Sequence, residues 1–147
     1  MKVSVGSDHR GVSQRRSAAI AAEDLGHSVI QTGPSSDESV DYPDIAAVVA
    51  RSVAKGEADR GVLVCGTGIG MSIAANKIPG IRAAVAWDLE SAQLSRRHND
   101  ANVLCLPGNT LTDEEIDAIV HVWLTTSFEG GRHQTRVDKI RQIEVGK

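Results

Sequence analysis

Aromatic side chains are scarce in this chain, at 3% of 147 residues. A core must therefore be built from Val, Ile, Leu and Ala. Cysteine is nearly absent: Cys65 and Cys105 stand far apart with no C-x-x-C between them. That excludes a disulfide framework and suits a reducing cytoplasm. A basic excess is missing too, since 16 Lys and Arg face 19 Asp and Glu for a net charge of −3. A nucleic-acid binder would show the opposite balance on one face. No apolar run approaches the roughly 18 residues of a membrane span. The opening "MKVSVGSDH" turns polar too early for a signal peptide. Repeats, low-complexity tracts and interdomain linkers are lacking, so the chain reads as one domain over 1–147.

What is present alternates. Short β-rich runs are separated by longer stretches of helical pattern, the order of an α/β domain with a parallel sheet. "KVSVG" (2–6), "HSVIQTG" (27–33), "GVLVC" (61–65), "IRAAVAW" (81–87) and "ANVLCLPG" (101–108) read as five strands. The third is continuously apolar, as a central strand covered on both faces would be. "QRRSAAIAAEDLG" is a helix ending on Gly26, a C-terminal cap. The polar loop "PSSDESVDYP" leads to Pro43, favoured at a first helical position, and "DIAAVVARSVAKG" closes at Gly56. A further helix runs from the glycine turn to about Lys77, where "PG" ends it. Asp88 is the N-cap of "DLESAQLSRRHN". Thr112 with Glu115 forms a capping box for the next helix. The tail "GGRHQTRVDKIRQIEVGK" holds a last helix over about 131–145, with Val137, Ile140 and Ile143 available to pack.

Ligands of open parallel sheets bind beyond the C-terminal strand ends. Three polar clusters fall there, "SDHRG" (7–11), "CGTGIG" (65–70) and "WD" (87–88), and the site is expected where they converge. Gly66, Gly68 and Gly70 let a ligand approach the main chain, and the helix that follows offers free N–H groups to an anion. A dinucleotide fingerprint would need its third glycine at position 71, which is Met71, although Asp88 mimics the ribose-binding acid of that fold. A P-loop is ruled out, because Lys77 is out of register. A plain strand-to-helix turn remains an alternative on the glycines alone.

Cys65 distinguishes this turn. A cysteine in a strand is usually a small buried hydrophobe, and Cys105 reads so. Cys65 is instead the last residue before a helix N-terminus, a position that favours a thiolate. Such a group serves as nucleophile or base. A hydrolase would add a histidine and an orienting acid, whereas a proton-transfer enzyme would set backbone amides beside it to hold an enediolate. His9 and His98 are candidate proton carriers, and His27 and His121 read as incidental. His98, in "RRHND", is also placed as a helix-dipole partner. Arg132 and Arg136 share a helix face, as a solvated basic flank or a phosphate clamp.

Together "VGSDHRG", "DYPD", "GVLVCGTGIGMSIAANK", "SAQLSRRHNDANVL" and "FEGGRHQTRV" resemble the type B ribose-5-phosphate isomerase family, which includes the galactose-6-phosphate isomerase subunits. The resemblance covers nearly the whole chain in order. It implies a three-layer α/β/α Rossmann-like domain with no metal and no cofactor. It also implies a homodimer or tetramer with active sites shared between subunits, the C-terminal helix being available to pack on a partner. By resemblance Cys65 is the base moving a proton between C2 and C1, Thr67 shuttles hydroxyl protons, and His98 opens the sugar ring. Asn99 contacts the sugar from the partner subunit, and Asp8 and Tyr42 contact it too. His9, Arg132 and Arg136 match phosphate-site positions, while Gly66, Gly68, Gly70 and Ser72 shape the enediolate pocket.

Three positions stand out against the family. Met71 occupies the place where one branch carries a glutamate base, which leaves Cys65 as the candidate. Asn109, in "CLPGNTL", replaces a phosphate-site arginine, and Arg10 stands where a small or apolar residue is commoner. Arg10 is available to supply charge from another direction. The reading is therefore aldose–ketose isomerisation of ribose 5-phosphate. The alternatives are a hexose 6-phosphate or tetrose phosphate substrate, a non-catalytic phosphometabolite-binding module, and a cysteine hydrolase.

Overall fold

Alternation along the strands sets the architecture, because neighbouring residues bury against opposite faces. In the computed structural model, which describes residues 1–146, five strands form one parallel sheet. They are β1 (Lys2–Ser7), β2 (Ser28–Thr32), β3 (Arg60–Cys65), β4 (Ala83–Val85) and β5 (Val103–Pro107), in the order β2-β1-β3-β5-β4. Between them run α1 (Val12–Asp24), α2 (Tyr42–Ala54), α3 (Ile69–Ala75) and α4 (Leu89–Asn99). After β5 come α5 (Asp113–Thr125) and α6 (Arg132–Glu144). Lys147, the last residue of the tail assigned to the final helix, lies outside the described residues.

Val62 and Val64 of β3 turn to one face, where they meet Ala18 and Ala22 of α1, Ala92 of α4, and Ile116, Val120 and Trp123 of α5. Leu63 and Cys65 turn to the other, against Ala46, Val49 and Ala50 of α2 and Met71 and Ala75 of α3. The result is the expected α/β/α sandwich. Alanines at the contacts let the helices ride close to the sheet, and Trp123 fills the larger gap, its indole N–H donating to Ser95 Oγ at 3.1 Å. The expected Asp88 cap and the expected Thr112–Glu115 capping box are both present, and Asp88 forms a capping box of its own with Ser91. Ser91 N–H donates to Asp88 Oδ1 at 2.7 Å, and Thr112 N–H donates to Glu115 Oε2 at 2.8 Å.

The fourth strand and the third helix are among the elements that end sooner than the sequence suggests. The fourth strand, expected over 81–87, is only Ala83–Val85. At its start the Arg82 N–H is taken by Asn102 Oδ1 (2.8 Å), and at its end the Trp87 N–H is taken by Ser91 Oγ (3.1 Å), so both flanks are claimed by side chains. The third helix stops at Ala75, because the Asn76 amide folds across to Ala83, accepting its N–H at 2.8 Å and donating to its carbonyl at 2.9 Å. Along α6, Val137 is buried while Ile140 and Ile143 stay exposed. No helix among the described residues is long and apolar enough to cross a membrane.

Candidate active site

The chain leaves β1 toward β2 on one side, while β3 lies on the other, so a crevice opens between the C-terminal ends of β1 and β3. Asp8 follows β1 into it, and Cys65 ends β3 beside it. A cavity of about 250 Å³ is lined there by Asp8, Arg10, Tyr42, Cys65, Gly66, Thr67, Gly70 and Asn109. Cys65 Sγ accepts the Gly68 N–H at 3.2 Å, the kind of partner a thiolate requires. Gly68 makes that bond from a left-handed φ of 74°, and a Cβ on it would press within 3.1 Å of the Leu106 backbone. The turn is therefore closed to larger residues. Thr67 Oγ1 accepts the Ile69 N–H at 3.3 Å, which holds its hydroxyl at the cavity rim. The Tyr42 ring lies directly on Gly70, where a Cβ would come within 2.6 Å of it.

A second polar cluster lies at the other end of the sheet. Cys65 pairs in register with Pro107 and Gly61 with Val103, so the end of α4 before β5 is separated from Cys65 by roughly 13 Å of strand. One turn there gives each residue a different task. Arg96 points inward, bonding Asp100 Oδ1 (2.8 Å) and the Ala101 carbonyl (2.6 Å). Arg97 pairs with Glu129, whose own N–H donates to the Arg97 carbonyl at 3.0 Å. His98 stacks on His133, ring centroids 4.2 Å apart and planes 10° from parallel. Glu129 Oε2 lies 3.4 Å from His133 Nε2 and 3.9 Å from His98 Nε2. Burial, reinforced by His98 and Arg132, holds the His133 imidazole below its usual pKa, while Glu129 acts the other way. The hydrogen bond from Arg97 is the main cause holding the Glu129 carboxyl low.

His98, Glu129 and His133 place three donor atoms within 4.8 Å of one another. Parallel rings do not aim both nitrogen lone pairs at one point, and the cations Arg97, Arg132 and Arg136 crowd the cluster, so the donor set fits a metal ion poorly.

Chemistry and fold now meet in known proteins. The family described as Ribose/Galactose Isomerase matches residues 3–140. Ribose-5-phosphate isomerase B of Escherichia coli is 48% identical over 143 residues, covering 97% of this chain and 96% of that protein. Among solved structures, Clostridium thermocellum ribose-5-phosphate isomerase B superposes with a TM-score of 0.95 at 50% identity, covering 99% of this chain and 98% of that one. Ribose-5-phosphate isomerase B from Mycoplasma genitalium, solved with bound ribulose 5-phosphate, gives 0.94 at 40% identity and covers 99% and 97%. The chain belongs to the ribose/galactose isomerase family.

In this family member the residues singled out from sequence fall into two groups. Asp8, Tyr42, Cys65, Gly66, Thr67 and Gly70 line one cavity, and Gly68 sits behind it, holding the sulfur. His9 is adjacent, its Nδ1 accepting the Val40 N–H at 3.3 Å. Ser72 donates its hydroxyl to the Ala83 carbonyl at 3.3 Å, toward β4 rather than the cavity. His98, Asn99, Arg132 and Arg136 gather at the opposite end of the same chain, all at least partly exposed. The Trp87–Asp88 cluster does not converge with the other two strand ends as expected. β5 inserts between β3 and β4 and sends it to a separate groove with Leu89, Leu111, Glu115, Ala118 and Ile119. His133 escaped the sequence reading, because its contact with Glu129 forms across the Gly130 and Gly131 turn rather than along a helix face.

Proposed function

We propose that this chain interconverts ribose 5-phosphate and ribulose 5-phosphate through an enediolate, with Cys65 as the base. The observation that carries the reading is the Cys65 sulfur, held by the Gly68 N–H at 3.2 Å on the wall of a cavity at the switch point of the sheet. His98 moves a proton to the ring oxygen of the cyclic sugar and opens it to the aldehyde. The Cys65 thiolate then removes the C2 proton, leaving an enediolate whose charge sits on O1 and O2. Thr67 relocates the hydroxyl proton between those oxygens, and Cys65 returns its proton to C1, so the sugar leaves as the ketose with no net redox change. The N–H of Gly70, on the cavity wall, is available to the developing oxyanion, such a donor contributing roughly 3 kcal/mol to the transition state.

The ring-opening and phosphate-binding groups come in this reading from a second copy of the chain. His98, Asn99, Arg132 and Arg136 cannot reach Cys65 across the sheet they flank. Ile69 and Ile73 of α3, beside the cavity, and Ile140 and Ile143 of α6 are all exposed, an apolar surface suited to subunit packing. Both cysteines are free thiols, which suits a reducing cytoplasm.

Cys65→Ala tests the reading. Turnover of ribose 5-phosphate should fall by about a thousandfold or more, while circular dichroism and sugar-phosphate binding stay near wild type. Retained turnover would remove Cys65 from the base role. A panel of pentose, hexose and tetrose phosphates assigns the chain length.

A further inference from the structure

We infer that Arg10 is the phosphate-binding cation supplied by the same subunit that carries Cys65, with Asn109 as its neutral neighbour; this rests on the isomerase reading. Arg10 is the one Lys or Arg among the residues lining the Cys65 cavity. Its placement is fixed at the backbone, where its N–H donates to Asp8 Oδ1 at 2.9 Å. From there its side chain crosses Gly66, the residue next to Cys65. A Cβ on Gly66 would lie 3.3 Å from Arg10 Cδ and 2.9 Å from Asn109 Nδ2, so the two side chains meet over that glycine.

Of the other arginines, Arg132 and Arg136 gather at the opposite end of the chain, and several more are already engaged. Arg15 donates to Ser7 Oγ and to the Thr32 and Pro34 carbonyls, Arg82 and Arg96 hold Asp100, and Arg97 holds Glu129. Among the described residues the Arg10 guanidinium has neither an ion pair nor a hydrogen bond, so its five donors are free for a ligand. The cavity also carries the Asp8 carboxylate. A phosphate entering beside Asp8 meets like charge unless a cation stands near, and a guanidinium offers phosphate a matching two-pronged set of donors. The Asn109 amide can donate a hydrogen bond but brings no charge. Arg10 therefore orients the phosphorylated end of the sugar and leaves the reacting carbons to Cys65.

The test is Arg10→Ala and Arg10→Lys in the full chain, read in three ways. Arg10→Ala should raise KM for ribose 5-phosphate about tenfold or more, with kcat changed less than about threefold, because lost uniform binding appears in KM. Competitive inhibition by inorganic phosphate should weaken by the same factor, whereas binding of unphosphorylated ribose stays unchanged. Arg10→Lys should recover part of the loss, and Asn109→Arg placed in the Arg10→Ala background should recover more, from the other side of Gly66. The inference is overturned if KM and phosphate inhibition both stay within about twofold of wild type. It is equally overturned if ribose binding falls as much as phosphate binding. If the wild type turns over no sugar phosphate, yet calorimetry shows that Arg10→Ala weakens inorganic phosphate binding, the isomerase reading fails while the Arg10 anion site stands.

Discussion

Cys65 and Cys105 share one face of adjacent strands and one hydrophobic layer, yet a register offset of two residues separates their chemistry. Cys105 is wholly enclosed, and burial, followed by the nearby Cys65, pushes its thiol pKa up. It should therefore resist alkylation in the native protein, and Cys105→Ala should lower stability by about 1–2 kcal/mol without altering turnover. Denaturant titration beside the activity assay checks this, and a loss of turnover with intact fold would contradict it. Gly68 gives a sharper case. Its φ of 74° and the Leu106 backbone 3.1 Å from any Cβ make Gly68→Ala both strained and crowded. The expected cost is about 1–3 kcal/mol of stability, and the N–H that meets Cys65 Sγ should shift, so kcat falls with it. Unchanged stability would show that the turn relaxes freely.

At the scale of elements, the Ser127–Gly131 loop is tied to the end of α4 by Glu129, and His133 of α6 is pressed between Glu129 and His98. The native His133 pKa is depressed, while the unfolded chain titrates near the ordinary value of about 6.5. As pH falls below that value the unfolded state binds the proton first, so the stability present at neutral pH is lost toward the lower native pKa. Glu129, also depressed, adds a second loss at more acid pH, below the ordinary carboxylate range. Urea midpoints should therefore decline between about pH 7.5 and 5.5 in the wild type and much less in His133→Asn. Equal slopes would show that His133 is not the titrating group. This contact also marks where sequence reading stops. Caps, strand faces and the glycine turn are local patterns and were legible from their residues. The insertion of β5 between β3 and β4 is not local, and it moved Trp87 and Asp88 away from the cavity. Arg132 and Arg136 were legible as one helix face, but their distance from Cys65 depends on the running direction of α4 and α6.

For the whole molecule, that distance makes a quantitative demand. If each active site takes Cys65 from one subunit and His98 from another, single variants of either residue are inactive for different reasons. In a hybrid of Cys65→Ala with His98→Ala, one site lacks both groups, and the other combines an intact Cys65 with an intact His98 from the opposite subunit. Random exchange in an equal mixture makes about half of the dimers hybrids, each with one working site, so activity should return to about one quarter of wild type. Recovery should follow subunit exchange, rising after brief partial denaturation and refolding together and staying absent when the two proteins are refolded apart. A site built within one chain predicts no recovery under any mixing scheme. The experiment therefore separates a shared active site from an internal one, whatever sugar phosphate proves to be the best substrate.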